Sequence, residues 1–300
     1  MENKYTKLET YLADKKEIID KAIDKYVPDK KITKVWGSMR YSLKAGGKRL
    51  RPALTLAVAE LFDCPVENVL ATACAIEMIH TQSLIHDDLP GMDNDDLRRG
   101  KPTNHVVYGE AIAIIAGDAL FAQAFNVIAK ETPKSVKAEN LLKVIADISH
   151  SAGPDGMCGG QAMDITLEKE GGEVNAALLQ YIHTHKTGDM IRTSVRSAAI
   201  LANADENQLN ALTLYAENIG LAFQIADDIL DITGATEDLG KTIGKDVTQN
   251  KLTYPRLFGI NESRKMAETC VNNAIKNVEI FGEKGQYLKL LAEYIIKRKS

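Results

Sequence analysis

The sequence predicts an all-α protein, and three observations carry that prediction. Long stretches place apolar residues at helical spacing without Gly or Pro, as in VENVLATACAIEMIHTQSLIHDD (66–88). The chain has only eight prolines, and none lies between Pro154 and Pro255. Alternation typical of strands is hard to find, and the nearest candidate, NHVVYGE (104–110), is short. We therefore expect a single domain, residues 1–300, of roughly ten or more helices, given a mean helix length of about 11–12 residues.

Further helices are predicted in chain order at 139–152, 172–202 and 205–232, each with apolar residues at helical spacing. The last of these opens with Asp205 and has Gln208 three residues later, which is a capping-box signature. Glycine-rich turns separate the helices at 44–49, 89–94, 151–161, 169–173 and 233–246. None of these turns is long enough to be a flexible linker between domains.

Composition excludes several classes of protein. Hydrophobic residues make up 45% of the chain and charged residues 26%, which argues against disorder. The net charge of −4 gives no basic footprint for nucleic acid. No unbroken run of 18 apolar residues occurs, so we expect no integral membrane segment, and the N-terminus is too polar for a signal peptide. The cysteines match no zinc spacing and predict reduced thiols in a cytoplasmic protein: Cys64, Cys74, Cys158 and Cys270.

The helix predicted at 205–232 carries an acidic cluster near its end. Asp227 and Asp231 lie one turn apart on one face, and Asp228 follows Asp227 directly. The flanking residues are almost all apolar, so a solvated polar face is a poor explanation for these acids. Unneutralised carboxylates at this spacing repel one another. A divalent cation such as Mg²⁺ resolves the conflict, because it binds carboxylate oxygens and takes further ligands from substrate phosphates.

A second acidic cluster follows the helix predicted at 66–88, in HDDLPGMDNDD (86–96). In an unbroken helix Asp87 and Asp93 would lie on different faces. The Pro-Gly pair at 90–91 predicts that the helix distorts and returns Asp93 to the side of Asp87, with Asp88 beside them. We expect both clusters to face one cavity with metal ions between them. Asp95 and Asp96 are interpreted as solvent-facing or ion-paired.

Basic residues close to both clusters are candidates for holding an anionic substrate. Arg98 and Arg99 follow the first cluster, and guanidinium groups suit phosphate oxygens. The segment GGKRLRP (46–52) offers Lys48, Arg49 and Arg51 after two glycines, without a Walker motif. Lysines at 241, 245 and 251 follow the second cluster. The pattern predicts two anion sites, one bridged by metal and one formed near Lys48, Arg51, His80 and Arg99.

These motifs together resemble the trans-isoprenyl diphosphate synthases, the farnesyl and geranylgeranyl diphosphate synthase family. The matching stretches run in family order from about residue 44 to 256 and include GGKRLRPAL, HDDLPGMDNDDLRRGKPTNH, GMCGGQAMD, HKTG and FQIADDILDITG. The resemblance implies an isoprenoid-synthase-type helical bundle around a deep central cavity, usually as a homodimer. It also implies condensation of isopentenyl diphosphate with an allylic diphosphate, with Mg²⁺ or Mn²⁺ as cofactor.

The resemblance assigns roles to residues of this chain. Metal ligands for the allylic diphosphate are expected at Asp87, Asp88, Asp93, Asp227, Asp228 and Asp231. Direct contacts to that diphosphate are expected from Arg98, Lys186 and Lys241. The isopentenyl diphosphate site is expected at Lys48, Arg51, His80 and Arg99. Thr187 and Gln224 are expected to line the developing allylic cation. His86 is expected to pack or support its neighbours rather than act as an acid or base.

Product length is expected to depend on residues below the first acidic cluster. Gln82 stands about 7.5 Å along the helix from Asp87 at 1.5 Å per residue. Relatives with a bulky aromatic at this position stop near farnesyl length, and those with methionine or a small residue reach geranylgeranyl. Gln82 matches neither pattern, and Met78, Phe121 and Phe125 are further candidates for the floor of the cavity. The absence of an aromatic at 82 favours the twenty-carbon product over the fifteen-carbon one.

Two other enzyme classes share part of this pattern. A terpene cyclase has a similar fold and one aspartate-rich motif, but it would lack the GGKRLRP segment because it holds no second diphosphate. A metal-dependent phosphohydrolase would explain the His86-Asp87 pair and leave Asp227–Asp231 without a role. A regulatory subunit would typically have lost acidic residues from one of the two clusters, and both are present here.

Overall fold

The structure, a computed structural model, describes residues 4–170, 175–233 and 252–297. These residues are mainly helical, so the all-α prediction is confirmed, with more than ten helices in this part of the chain. The helices are α1 (Lys4–Tyr26), α2 (Lys34–Leu43), α3 (Leu50–Leu61), α4 (Val66–Asp87), α5 (Asn104–Tyr108), α6 (Glu110–Glu131), α7 (Ala138–Ala152), α8 (Met157–Glu170), α9 (Ala176–His183), α10 (Asp189–Leu201), α11 (Glu206–Thr233), α12 (Tyr254–Phe258), α13 (Ile260–Asn277) and α14 (Gln286–Ile295). A π-helical segment (Thr184–Gly188) joins α9 to α10, and a 3-10 segment (Glu279–Gly285) precedes α14.

The central helix of the packing is α4. It lies against α6, α3 and α10, and also contacts α1 and α2. Contact on several sides explains why its sequence is apolar almost all round, with Ile76, Met78 and Ile79 fully buried. Each such side chain contributes about 1.5–3 kcal/mol through burial. The end of α4 that carries Asp87 is therefore anchored by a rigid core.

Helix α11 carries the second acidic cluster, Asp227, Asp228 and Asp231, in its last turns. It packs against α10 and α13. The predicted capping box is confirmed: the Asp205 backbone N–H donates to Gln208 Oε1 over 3.0 Å, and the Gln208 N–H donates to Asp205 Oδ1 over 2.9 Å. Such a cap contributes about 1 kcal/mol and fixes where the helix begins.

A short hairpin follows the first acidic cluster, at a place where the sequence analysis predicted no strand. Strand β1 (Leu97–Arg98) pairs antiparallel with β2 (Lys101–Pro102), with Leu97 opposite Pro102. The strand candidate at 104–110 was wrong, because these residues form α5 and the start of α6. Buried Asn104 stabilises the helical form by donating to the Ser38 carbonyl and accepting from the Ser38 hydroxyl. These contacts lie 66 residues away in sequence and leave no local signal.

Helix α6 departs from one sequence-based expectation. By length and composition it is apolar enough to cross a membrane, although no membrane-spanning helix was expected. Core helices of globular proteins pass the same test. Here α6 packs along α4 and α2, and Ala113, Ala116 and Leu120 on its inner face are fully buried.

Candidate active site

The chain reverses direction directly after α4. The Asp93 backbone N–H donates to the Asp87 carbonyl over 2.9 Å, and the Asp95 N–H donates to the Asp88 carbonyl over 3.2 Å. These bonds close a turn over the Pro90-Gly91 pair. The predicted return of Asp93 to the side of Asp87 is therefore confirmed for the backbone.

Asp87 lies in an environment that disfavours a negative charge. Burial raises the pKa of its carboxyl to about 6, and the charges of Asp93 and Asp88 contribute to the increase. Lys186 and Arg98 act in the opposite direction without cancelling it. The neighbouring cations therefore do not offset the cost of burying the ionised Asp87 carboxyl.

Asp88 differs from Asp87 because it already has a cationic partner. The Arg98 guanidinium donates from Nε to both carboxylate oxygens, at 2.8 and 3.0 Å, and its Nη2 lies 2.6 Å from Asp88 Oδ1. Burial raises the pKa of the Asp88 carboxyl, and this ion pair opposes the rise. The hairpin places Arg98 for this contact, and the Arg98 side chain stays about one third exposed at 31%.

In the second acidic cluster, Asp228 is held by two groups from elsewhere in the chain. His183 Nε2 lies 3.1 Å from Asp228 Oδ2, and the Tyr254 backbone N–H donates to the same oxygen over 2.9 Å. The His183 ring stacks on Tyr254 with centroids 5.4 Å apart. Asp228 and Asp231 are buried, and Asp227 is partly buried. Asp228 therefore ties α11 to α9 and to α12.

The two acidic clusters approach neighbouring elements, the end of α9 and the π-helical segment that follows it. His183 ends α9 and bonds Asp228, while Lys186, three residues later, lies close enough to Asp87 to influence its pKa. Lys186 Nζ is also 2.7 Å from Asp164 Oδ2 on α8. The Thr187 hydroxyl donates to Gln224 Oε1 over 3.2 Å, so this predicted pair is in contact. π-Helical turns are frequent at functional sites.

Two cations, Arg51 and Arg99, lie close to His80 and form a second group of predicted site residues. Burial and the charges of Arg51 and Arg99 hold the pKa of His80 well below its usual value, so the imidazole is neutral. Burial lowers the pKa of Arg51, and the carboxylates of Glu77 and Asp227 oppose that shift. The buried Arg51 Nε has no hydrogen-bond partner among the described residues. A buried donor without a partner is expected to bind a ligand or water.

The three cations of GGKRLRP do not share one environment. Lys48 is exposed and Arg51 is partly buried, as expected for residues that bind an anionic substrate. Arg49 is only 4% exposed and pairs with Asp20 and Glu77, both at 2.9 Å. The interpretation of Arg49 as an anion-holding residue was therefore wrong, because its charge is already neutralised inside the protein.

The residues proposed to limit product length lie on facing parts of α4 and α6. Met78 is fully buried, and Gln82 Nε2 lies 3.0 Å from His86 Nδ1. The other ring nitrogen of His86 lies 3.2 Å from the Ile114 carbonyl. Phe121 and Phe125 pack edge to face with centroids 5.3 Å apart. His86 therefore packs between α4 and α6, and the expectation that it supports its neighbours agrees with these contacts.

A separate cavity of about 430 Å³ adjoins the π-helical segment and is lined by residues outside the predicted set. His185 Nδ1 lies 2.7 Å from Asp189 Oδ2, and Arg192 Nε lies 3.3 Å from Asp189 Oδ1. Asp189 is thus paired with both His185 and Arg192, and we assign this cavity no part in the chemistry.

Some predicted residues lie outside the described part of the chain. Lys241, together with Lys245 and Lys251, falls in residues 234–251. Among the described residues, no three Asp, Glu, His or Cys side chains form a complete metal site by themselves. Mg²⁺ is commonly bound by one or two carboxylates with waters and substrate phosphates, so incomplete carboxylate clusters fit that mode of binding.

Comparison with known proteins agrees with this geometry. The polyprenyl synthetase family matches residues 33–291. A geranylgeranyl diphosphate synthase from Cyanophora paradoxa is 50% identical over 96% of this chain and 96% of its own length. A farnesyl diphosphate synthase from Geobacillus stearothermophilus is 43% identical over 97% and 98%. The crystal structure of an FPP/GFPP synthase from Zymomonas mobilis superposes with a TM-score of 0.87 at 35% identity, covering 97% of this chain and 99% of that one. The resemblance of the motifs is thereby confirmed, and the chain belongs to the polyprenyl synthetase family.

Proposed function

We propose that this protein is a short-chain prenyltransferase that condenses isopentenyl diphosphate head-to-tail onto an allylic diphosphate. The observation that carries the proposal is the arrangement around residues 183–188. One acidic cluster is bonded to His183, the other lies beside Lys186, and Arg51 lies within electrostatic reach of Asp227. A metal-dependent anion site and a second, arginine-rich anion site therefore adjoin. Two adjoining anion sites suit a reaction between two diphosphates.

The carboxylates fit a divalent cation, Mg²⁺ or Mn²⁺, by their chemistry and their electrostatics. Burial and, to a smaller extent, the charges of Asp93 and Asp88 raise the pKa of Asp87, and a bound cation would favour the ionised carboxylate. Asp227 and Asp231 are the corresponding residues of the second cluster. Asp88 and Asp228 have protein partners that orient them. When bound, the cations withdraw charge from the leaving diphosphate.

The remaining steps are assigned to side chains of this chain. Arg98 and Lys186 hold the allylic diphosphate, with Lys241 as a third contact, and their charges favour its departure with the bonding electrons. Thr187 and Gln224 present oxygen dipoles to the allylic cation, and the hydrogen bond between them fixes their orientation. Lys48, Arg51, Arg99 and neutral His80 hold isopentenyl diphosphate so that its double bond is about 3–3.5 Å from the cation. The tertiary cation that results loses a proton to the departed diphosphate, and the electrons of that C–H bond form the double bond of the product.

We favour geranylgeranyl diphosphate over farnesyl diphosphate as the product. Gln82 is bonded to His86 on its own helix, which draws its side chain along α4. An aromatic ring at this position would be larger and could not make the same bond. The aromatic pair of Phe121 and Phe125 lies on α6 and would set the limit further from the metal site.

A product assay tests the reaction and its rivals together. Purified protein is incubated with isopentenyl diphosphate, Mg²⁺ and each short allylic diphosphate, and the dephosphorylated alcohols are separated by length. We expect elongated all-trans alcohols that depend on both substrates. Cyclic hydrocarbons from one allylic diphosphate alone would indicate a terpene cyclase. Release of phosphate without isopentenyl diphosphate would indicate a phosphohydrolase.

The proposed assembly is a homodimer in the cytoplasm, without nucleic acid and without an integral membrane segment. Support for the dimer comes from an exposed apolar patch, formed by Val106 and Val107 on α5 with Ile114 and Ile115 on α6. These side chains are 44–51% exposed. Contiguous exposed apolar surface is typical of a contact with another protein or with a second copy.

A further inference from the structure

Arg49 adopts a backbone conformation that its residue type disfavours. Its φ of 52° lies in the left-handed region, and two glycines shortly before it, Gly46 and Gly47, also have positive φ. This conformation costs a non-glycine residue about 1–2 kcal/mol. Arg49 is also the N-cap of α3, and the Ala53 backbone N–H donates to its carbonyl over 2.9 Å. Some other contact must therefore hold this residue in place.

The Arg49 side chain supplies that contact by reaching three helices. Nε lies 2.9 Å from Asp20 on α1, Nη1 lies 2.9 Å from Glu77 on α4, and Nη2 donates to the Leu43 carbonyl at the end of α2. The Arg49 and Glu77 side chains are both buried, so water competes little for the bond between them, while Asp20 is partly exposed. Bonds to charged groups in such a site are about twice as strong as neutral ones.

The turn that Arg49 fixes also carries the neighbouring cations. Lys48 precedes Arg49, and Arg51 lies in the first turn of α3. Arg99 is connected to the same turn because its guanidinium donates to the Gly46 carbonyl and covers Gly47, where a Cβ would come within 2.5 Å of it. A change in the path of residues 44–49 would therefore move Lys48, Arg51 and Arg99 together.

We infer that Arg49 is a positioning residue for the non-allylic diphosphate site. Arg49 does not contact the substrate, because its charge is neutralised by Asp20 and Glu77. It holds the turn so that Lys48, Arg51 and Arg99 converge on one diphosphate. The inference rests on the proposed function, because that function identifies the anion as isopentenyl diphosphate. The allylic site lies on α4, α11 and the π-helical segment, and its contact Arg98, although adjacent to Arg99, is held separately by Asp88.

The test separates the two substrates by their KM values. Arg49→Met is expected to raise the KM for isopentenyl diphosphate about tenfold or more and to change the KM for the allylic diphosphate less than about twofold. Arg49→Lys, which keeps the charge but not the three-way geometry, is expected to give an intermediate KM. The matched control is Arg40→Met, because Arg40 also bonds an aspartate, Asp24 at 2.8 Å, and a backbone carbonyl, outside the turn. Both KM values should be unchanged in that variant.

A milder variant decides the question if Arg49→Met fails to fold. Asp20→Asn weakens one of the three contacts of Arg49, the one to α1, which carries no predicted site residue. This variant should raise only the KM for isopentenyl diphosphate, about two- to threefold. Equal increases in both KM values, or an unchanged KM for isopentenyl diphosphate in the folded variants, would overturn the inference while leaving the proposed function intact. If the unmodified protein condenses nothing, the proposed function fails first and the inference fails with it.

Discussion

Adjacent aspartates at the end of α4 illustrate how position, rather than residue type, decides a chemical role. Burial raises the pKa of Asp87 to about 6, the charges of Asp93 and Asp88 add to the increase, and Lys186 and Arg98 oppose it. Asp88, the next residue, is neutralised by a bidentate contact with Arg98. We therefore expect Asp87 to bind a metal ion directly. Asp88 is expected to act indirectly, by orienting Arg98 beside the departing diphosphate.

Replacing these aspartates singly should separate the two roles. Asp87→Asn is expected to lower kcat/KM about a hundredfold or more and to raise the Mg²⁺ concentration at half-maximal rate. Asp88→Asn should lower kcat/KM about tenfold with little change in the Mg²⁺ requirement, because the variant weakens the ion pair that orients Arg98 and leaves Asp87 in place. Asp96→Asn, on an exposed side chain, is the control and should leave both unchanged. Equal Mg²⁺ requirements in the Asp87 and Asp88 variants would contradict the division of roles.

The pKa of Asp87 predicts how the stability of the metal-free protein depends on pH. The folded state binds this proton more tightly than the unfolded chain, because the folded pKa of about 6 lies above the 3.8 of an unperturbed aspartate. The contribution of Asp87 to the free energy of unfolding therefore falls as pH rises between these values.

Thermal unfolding of metal-free protein at a series of pH values provides the measurement. Relative to the unmodified protein, Asp87→Asn should gain stability as pH rises through about 6, since the variant has no charge to bury. Saturating Mg²⁺ should remove or reverse that advantage. A constant difference between the two proteins across the range would show that Asp87 titrates at its usual pKa.

Gln82 gives a prediction on product length. Gln82→Tyr places an aromatic ring on α4, one turn before His86, and should shift the products from twenty toward fifteen carbons. Chromatography of the dephosphorylated alcohols measures the distribution. His86→Gln is a useful companion because it removes the partner of Gln82 without adding a ring. If Gln82→Tyr leaves the distribution unchanged, the floor of the cavity lies elsewhere, with Phe121 and Phe125 as the next residues to replace.

At the scale of elements, the sequence predicted what depends on local pattern and missed what depends on distant contacts. The helix of 66–88, the capping box at Asp205 and the turn after Asp88 all follow from spacing, capping residues and the Pro-Gly pair. The π-helical segment gave no signal, because it arises from packing against α8. Arg49 and Arg51 look equivalent in sequence, and only Asp20 and Glu77, more than 25 residues away, distinguish them.

The packing of α8 against the π-helical segment leads to a prediction about Gly160. A Cβ at this position would lie 2.3 Å from the Lys186 backbone nitrogen, so Gly160→Ala must displace the segment. We expect a loss of about 1–3 kcal/mol in stability and a fall in kcat, because Lys186 and Thr187 move. Urea unfolding and steady-state kinetics measure the two effects.

A glycine in another helix supplies the control for Gly160. Gly37 lies in α2, and a Cβ there would meet its nearest atom, the Tyr108 hydroxyl, at an ordinary 3.5 Å. Gly37→Ala should therefore stabilise the protein by about 0.5–1 kcal/mol without changing kcat. If both glycine variants behave alike, close packing at Gly160 does not position the segment.

At the scale of the whole molecule, the exposed apolar patch on α5 and α6 is connected to the catalytic end of α4. His86, next to Asp87, bonds the backbone carbonyl of Ile114, whose side chain belongs to the patch. A second copy bound to this patch would cover the exposed part of each of these side chains, which is about half of the side chain. It would also restrain α6 at the place where α6 contacts α4. Self-association would thus stabilise the metal-binding end of α4 as well as bury apolar surface.

Ile115→Asp tests this proposal because it places a charge on the patch without touching the core. Ile115 is 49% exposed, so the monomer should fold, and burial of an unpaired carboxylate in the interface should dissociate the dimer. Light scattering coupled to size-exclusion chromatography should give a dimeric mass for the unmodified protein and a monomeric mass for the variant. Leu142→Asp is the matched control, since Leu142 is 67% exposed on α7, outside the patch, and this variant should remain dimeric. A monomeric mass for the unmodified protein, or a dimeric Ile115→Asp variant, would show that α5 and α6 do not form the interface.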